Sequence, residues 1–313
     1  MSTIHELSVV ASQTLTKITP GVIEKDFYVT QIIHILTHFK NPDFDLVFSG
    51  GTCLAKGHHV IQRMSEDVDF KVVLKAGNAP FSNSALRNKL RTLRTEIIDT
   101  LQHNNFKVAE TMIKVRNAGE FFQIFVDYPT TFPQAYSLRQ NILLEFTYDT
   151  IACGTEALPI ASLIAETLKI EDGLEKITTP CAKIIEIAAE KWVSITRRIA
   201  AVERGHIGKD KVLIRHLYDL SQIEKLGVLN QDYYDLIAKT IQHDRKKFQN
   251  QHPEYVECYV QEIDRSIQLL IEDTSWKDNY NNFIQDMVYA QQEAPPYPNC
   301  LALLQHIRRA VAL

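Results

Sequence analysis

Two aspartates with one residue between them, Asp67 and Asp69, are the residues of this sequence whose spacing first points to chemistry. Val68 and Phe70 alternate with them, and this pattern predicts a half-buried strand. Residues two apart on a strand project from the same face, so both carboxylates point to one place. Without a cation they would repel each other, and Mg²⁺ prefers carboxylate oxygens when substrate phosphates complete its shell. The sequence therefore predicts a metal site on this strand.

A glycine pair, Gly50 and Gly51, precedes the aspartates. A short strand is predicted over residues 45–49 and a helix over 52–64, on either side of the pair. Glycines let a phosphate approach the backbone closely, and free N–H groups at a helix start favour an anion. Each of these elements is common by itself. The informative feature is their order along the chain: a strand, the glycine pair, a helix and then the strand with the two aspartates. The other candidate phosphate-binding residues are Ser49, Thr52 and Lys56, and for Lys56 the sequence leaves open whether it faces phosphate or solvent.

The run from Gly50 to Asp69 carries a resemblance to a known family. It reads Gly-Gly-Thr-x-Leu-x-Lys and then Arg-x-Ser-Glu-Asp-x-Asp, and it resembles the AbiEii/AbiGii-type toxin nucleotidyltransferases of bacterial toxin–antitoxin and phage-defence systems. These belong to the DNA polymerase β-like nucleotidyltransferase superfamily. Three further motifs also resemble that family: Glu24-Lys25-Asp26, Glu190-Lys191-Trp192 and Arg215-His216-Leu217-Tyr218-Asp219-Leu220.

The resemblance implies further site residues. It implies a third metal-binding carboxylate on a neighbouring strand, for which Glu145 is the best match. Asp127 has similar apolar neighbours in the sequence, and only the resemblance favours Glu145 over it. It also implies that Lys191 neutralises triphosphate charge, with Asp219 as its catalytic or structural partner. From the residues alone, Lys191 reads equally well as a lysine at the edge of the core. Arg215 either contacts phosphate or pairs with Asp219, four residues further along a helix.

Hydrophobic periodicity shows which elements must position these residues. Strands are predicted over 45–49, 68–74, 106–116, 121–128 and 141–148. Helices are predicted over 19–40, 52–64, 84–104, 181–204, 210–225, 230–248, 254–274, 277–292 and 299–312. Because strand signals fade after about residue 150, we predict an α+β fold. An N-terminal nucleotidyltransferase-like mixed sheet with flanking helices would span residues 1–155, and a C-terminal helical bundle would span 156–313.

Composition excludes several classes of protein. With 45% hydrophobic residues, 23% charged residues and a net charge of −4, the chain reads as globular and not as a uniformly basic nucleic-acid binder. No apolar run is long enough for a membrane span, and the N-terminus lacks the pattern of a secretory signal. The five scattered cysteines form no C-x-x-C pair, which argues against zinc and fits a reducing, cytoplasmic location.

The expected function is a metal-dependent nucleotidyltransferase. Two Mg²⁺ ions held by the three carboxylates would promote transfer of a nucleoside monophosphate from an NTP to an acceptor hydroxyl. The family implies the 3′ end of tRNA or another RNA as acceptor and a cognate antitoxin as partner, while protein and small-molecule hydroxyls stay open. Basic stretches over 86–117 and 183–215 are either solvated helix faces or an RNA-binding groove. The alternative is a nucleotide-binding regulatory protein without turnover.

Overall fold

The computed structural model describes residues 3–15, 18–132, 139–171 and 177–312. The chain divides into two compact units. The first contains Met1–His59 and Met64–Lys183, and the second contains Val60–Arg63 and Ile184–Leu313. The fold is mixed α+β, as predicted from the sequence.

Within its described residues, the first unit forms an eight-stranded sheet with flanking helices. Its helices are α1 (Ile4–Thr14), α2 (Pro20–His38), α3 (Gly50–Lys56), α4 (Asn83–His103) and α5 (Leu163–Leu168). Its strands are β1 (Phe44–Ser49), β2 (Asp67–Leu74), β3 (Lys107–Val108), β4 (Lys114–Arg116), β5 (Phe121–Asp127), β6 (Ile142–Tyr148), β7 (Thr155–Ile160) and β8 (Ile177–Ala182). The strand order is β3-β5-β6-β2-β1-β8-β7, with β4 also pairing with β5. β2 pairs antiparallel with β1 and parallel with β6, so the sheet is mixed.

A row of aromatic rings sets the register at the centre of this sheet. Phe48, Phe70, Phe146 and Phe122 lie side by side on β1, β2, β6 and β5. Their successive ring centroids are 5.6, 5.7 and 4.8 Å apart, and all four side chains are buried. Because a slip of one residue would turn every side chain to the other face, this buried row also fixes the position of the polar residues beside it.

Two sequence predictions for the first unit are wrong in detail. The helix predicted over 52–64 ends at Lys56, and the chain then runs through Val60–Arg63, which belong to the second unit. The strand predicted over 106–116 is broken into β3 and β4 by a 3₁₀ turn, Glu110–Met112. These breaks depend on packing against distant parts of the chain, which local periodicity does not report.

Strands also continue past residue 150, contrary to prediction. β7 and β8 pair antiparallel, and β8 joins β1, so both belong to the sheet. Most β7 side chains are exposed, and both strands contain a proline, which explains the weak strand signal. The predicted boundary after residue 155 falls at the first residue of β7, whereas the structural division lies at Lys183.

The second unit is helical. Its helices are α6 (Ile184–Glu203), α7 (Arg215–Glu224), α8 (Gln231–Lys247), α9 (Pro253–Glu257), α10 (Tyr259–Glu272), α11 (Thr274–Met287) and α12 (Tyr297–Ala310). α6 contacts α7, α8 and α10, and it buries an apolar face that includes Ile187, Trp192 and Ile199. Among the described residues, no helix is both long and apolar enough to cross a membrane.

Candidate active site

A row of polar side chains crosses four strands of the first unit. Ser49 pairs in register with Asp69, Asp69 with Glu145, and Glu145 with Gln123. Asp69 and Glu145 are both half-buried, and the Gln123 amide donates a hydrogen bond to the Glu145 carboxylate. The strand pairing thus brings Glu145 beside Asp69. Asp127, the competing residue, is exposed and pairs with Lys107.

Asp67 lies two residues before Asp69 on β2, between buried neighbours, and is half-buried. Its Oδ1 accepts a hydrogen bond from Arg139 Nη1 at 2.8 Å. The hydroxyl of Thr52 bonds to the Asp67 carbonyl, and it also lies 2.8 Å from Ser65 Oγ. Thr52, predicted as a phosphate donor, therefore ties α3 to the start of the aspartate strand.

Gly50 is required by both conformation and space. Its φ is +73°, in the left-handed region that favours glycine. A methyl group at this position would overlap the Asp69 carboxylate. Gly51 and Ser49 are buried on either side of it. The glycine pair thus packs the backbone at the start of α3 directly against one of the candidate metal ligands.

A buried ion pair supports the loop that carries Arg139. Lys25 Nζ lies 2.5 Å from Glu66 Oε2 and 2.7 Å from the Arg139 carbonyl. Glu66 also accepts from the Arg139 backbone N–H at 3.0 Å. Burial lowers the pKa of Lys25, opposed by the neighbouring Glu66 carboxylate. Since Glu66 immediately precedes Asp67, this pair positions both partners of the Arg139–Asp67 contact.

Lys56 takes neither of the two orientations that the sequence left open. Its ammonium is buried, 2.7 Å from Asp26 Oδ1 and 3.0 Å from the Ala161 carbonyl. Asp26 also accepts from the Leu163 backbone N–H at 2.7 Å. The lysine thus connects the end of α3 to α2 and to the start of α5, and the structure does not place it on the polar row.

Two predicted residues of the second unit, Lys191 and Asp219, belong to a buried charge cluster. Asp219 is fully buried and accepts from Arg63 through both carboxylate oxygens, at 2.7 and 2.8 Å. Lys191 Nζ is 2.8 Å from Asp219 Oδ2. Burial alone would raise the pKa of Asp219, but the two cations outweigh it and hold the pKa well below its usual range. Arg215 is the half-buried first residue of α7.

Comparison with known proteins identifies the family. Residues 34–305 match the family described as the nucleotidyl transferase AbiEii toxin of type IV toxin–antitoxin systems. The chain belongs to the AbiEii nucleotidyltransferase toxin family. The match begins after the Glu24-Lys25-Asp26 motif and runs through most of the helical unit. No curated protein matches this sequence.

A solved structure shares the fold of this AbiEii-family protein. MenT4, a nucleotidyltransferase toxin from Mycobacterium tuberculosis, superimposes with a TM-score of 0.50 at 15% sequence identity. The similarity covers 98% of this chain and 99% of that one. At this identity the likeness is one of fold, and it extends over both units.

Three site residues of this AbiEii-family protein were not singled out for these roles by sequence reasoning. Gln123 carried a usable signal, since it is a polar residue between apolar neighbours in the middle of its strand. Arg63 begins the Arg-x-Ser-Glu-Asp-x-Asp motif but was given no role, and Arg139 lies in a segment without periodicity. Both arginines contact carboxylates far away in sequence, and only the tertiary structure brings them together.

The residues present fit a hard divalent cation. Asp67, Asp69 and Glu145 offer only oxygen ligands, from adjacent positions on two neighbouring strands. The absence of a side chain at Gly50 leaves room for the Asp69 carboxylate itself. Arg139 is 40% exposed at the side chain, so its contact with Asp67 lies at an accessible edge of the row.

Proposed function

We propose that this AbiEii-family protein is a Mg²⁺-dependent enzyme that transfers a nucleoside monophosphate from an NTP to an acceptor hydroxyl. The observation that supports it most is the register of β2 and β6, which sets Asp69 directly beside Glu145 with Asp67 two residues away. Half-buried like charges at this spacing repel each other, and a divalent cation removes that repulsion.

In this proposal the protein's own side chains hold and orient the reacting groups. Bound Mg²⁺, expected as two ions, would supply Lewis acidity toward the attacking hydroxyl and the departing pyrophosphate. Gln123 holds one oxygen of Glu145, which restricts the carboxylate to one orientation. Arg139 offsets part of the negative charge of the row through Asp67. Gly50, Gly51 and Ser49 would line the phosphate-binding part of the site.

For Lys191 we propose the role that the resemblance implies, neutralising charge on the triphosphate. Its support is that Asp219, itself held by Arg63, fixes the Lys191 ammonium in one position. A preorganised charge stabilises a transition state more than a mobile one does. Arg215 remains a predicted phosphate contact.

The acceptor we propose is the 3′-terminal hydroxyl of an RNA, with tRNA as the first candidate. Exposed basic side chains in the same unit as the carboxylates support it: Arg87 and Arg91 on α4, and Lys114 and Arg116 on β4. A groove of such residues tracks a phosphate backbone without reading its sequence. A cognate antitoxin is the proposed protein partner, in keeping with the type IV system of the family.

The test is label transfer by the purified full chain. Each NTP, labelled at the α-phosphate, is incubated with Mg²⁺ and total RNA, and both RNA labelling and pyrophosphate release are measured. We expect transfer, reduced by about a hundredfold or more in Asp69→Asn. The control Asp45→Asn changes an exposed aspartate of β1 and should behave as the parent. NTP binding without transfer would favour the regulatory alternative, and unchanged transfer by Asp69→Asn would refute the metal assignment.

A further inference from the structure

The second unit contains a group of metal-ligating side chains that the proposed function does not use. His206, His252 and Glu254 each place one ligand atom so that all three atoms lie within 4.8 Å of one another. His206 follows the end of α6, and the other two lie at the start of α9. His206 Nε2 is 2.8 Å from Glu254 Oε2. Two imidazoles and one carboxylate form a donor set typical of zinc sites that keep a fourth position for water.

One ring nitrogen of His252 is engaged by Glu262, which leaves the other available to a metal. The residue is 1% exposed, and its Nε2 lies 2.9 Å from Glu262 Oε2. A carboxylate that pairs with Arg204 accepts hydrogen bonds, so in a neutral ring Nε2 carries the hydrogen and Nδ1 carries the lone pair. Among the described residues, nothing hydrogen-bonds to this buried Nδ1. A buried nitrogen without a partner is unfavourable, and a metal ion would satisfy it.

Glu262 gives His252 the support that a ligating histidine usually has. Its Oε1 lies 2.6 Å from Arg204 Nη2. Arg204 is a permanent cation that only donates hydrogen bonds, so the Glu262 carboxylate accepts from it. A carboxylate that accepts the far N–H of a ligand histidine fixes its tautomer and orientation.

We propose that His206, His252 and Glu254 bind one zinc-class divalent transition-metal ion in the helical unit. Imidazole nitrogens favour Zn²⁺ and neighbouring transition metals over Mg²⁺. This site is therefore chemically distinct from the carboxylates Asp67, Asp69 and Glu145. The cysteine pattern argued against zinc, but this set uses no thiolate. The ion would bridge residue 206 to residues 252–254 and so close the segment that contains α7 and α8. It would act as a clamp that stabilises the helical unit.

The experiment is a Zn²⁺ titration of the chelator-stripped full chain against a chromogenic competitor, with Mg²⁺ in excess. We expect one tightly bound zinc per chain, which Mg²⁺ does not displace, and a higher melting temperature with zinc. The variants His206→Gln and Glu254→Gln change side chains that are not fully buried, so the fold should survive. Each should weaken zinc binding by at least about tenfold. Co²⁺ should give a tetrahedral absorption band in the parent that His206→Gln lacks.

Three matched variants separate this site from other sources of zinc binding. His306→Gln removes an exposed histidine of α12, Cys258→Ser removes an exposed thiol, and Asp69→Asn alters the carboxylate row. All three should retain the tight zinc. The proposal is overturned if the parent binds no zinc, if His206→Gln binds it as tightly as the parent, or if Cys258→Ser or Asp69→Asn loses it.

Discussion

The substitution Asp219→Asn removes the only negative charge of the buried cluster formed by Asp219, Arg63 and Lys191 while preserving the shape of the side chain. Asp219 is 0% exposed, and both cations are nearly buried. The variant leaves two buried like charges, and breaking a buried ion pair in this way costs about 3–5 kcal/mol. At about 3 °C per kcal/mol for a unit of this size, the melting temperature should fall by about 10–15 °C.

Lys191→Met provides the contrasting change in the same cluster. It leaves Asp219 with both hydrogen bonds from Arg63, and it removes one buried cation. Because one charge-assisted hydrogen bond is lost, the free energy of unfolding should fall by less than about 3 kcal/mol. Part of this loss is offset because folding no longer has to remove an ammonium group from water. The order of stability should therefore be parent, then Lys191→Met, then Asp219→Asn.

The assay is thermal unfolding of the full chain followed by far-ultraviolet circular dichroism and calorimetry. The control Asp264→Asn breaks an exposed ion pair with Arg308 and should cost less than about 1 kcal/mol. Because the pKa of Asp219 is lowered in the folded protein, its stabilisation is present above the unfolded pKa of about 3.9 and is lost only at lower pH. The difference between parent and Asp219→Asn should thus stay constant between about pH 5 and 8. A fall of less than about 2 °C, or an equal fall in Lys191→Met, would refute this account of the cluster.

Three further outcomes follow from the site geometry. Gly50→Ala should lower the stability of the protein and reduce transfer more than Gly77→Ala does. Both glycines have positive φ, but only at Gly50 would the added methyl group overlap Asp69. Equal effects of the two substitutions on melting temperature and turnover would contradict this. Lys56→Met should lower the melting temperature, because the Lys56 ammonium belongs to a buried ion pair. The affinity for NTP, measured by calorimetry, should not change. Loss of NTP affinity without loss of stability would instead indicate that Lys56 contacts phosphate. Lys191→Met should lose about a hundredfold in turnover at a modest cost in stability, and retained turnover would remove its proposed catalytic role.

The sequence alone determined the features that depend on local periodicity. The alternation around Asp67 and Asp69 predicted a half-buried strand with both carboxylates on one face, and β2 confirms that strand. Helical periodicity predicted α2, α4 and most helices of the second unit to within a few residues. The motif order from Gly50 to Asp69 also pointed to the correct family. Such features survive in a single sequence because neighbouring residues alone produce them.

Only the tertiary structure decided which distant groups meet. The choice between Glu145 and Asp127 depended on the parallel pairing of β2 with β6, which no local pattern encodes. Lys56 reads as a surface or phosphate-facing lysine until packing buries it against Asp26. Arg63 has no role that the sequence reveals, and the structure places it in the second unit beside Asp219. For Lys56 and Arg63, a buried charge needs a partner of opposite sign. Long-range strand register and helix packing, which local sequence does not reveal, determine which residues meet in all three cases.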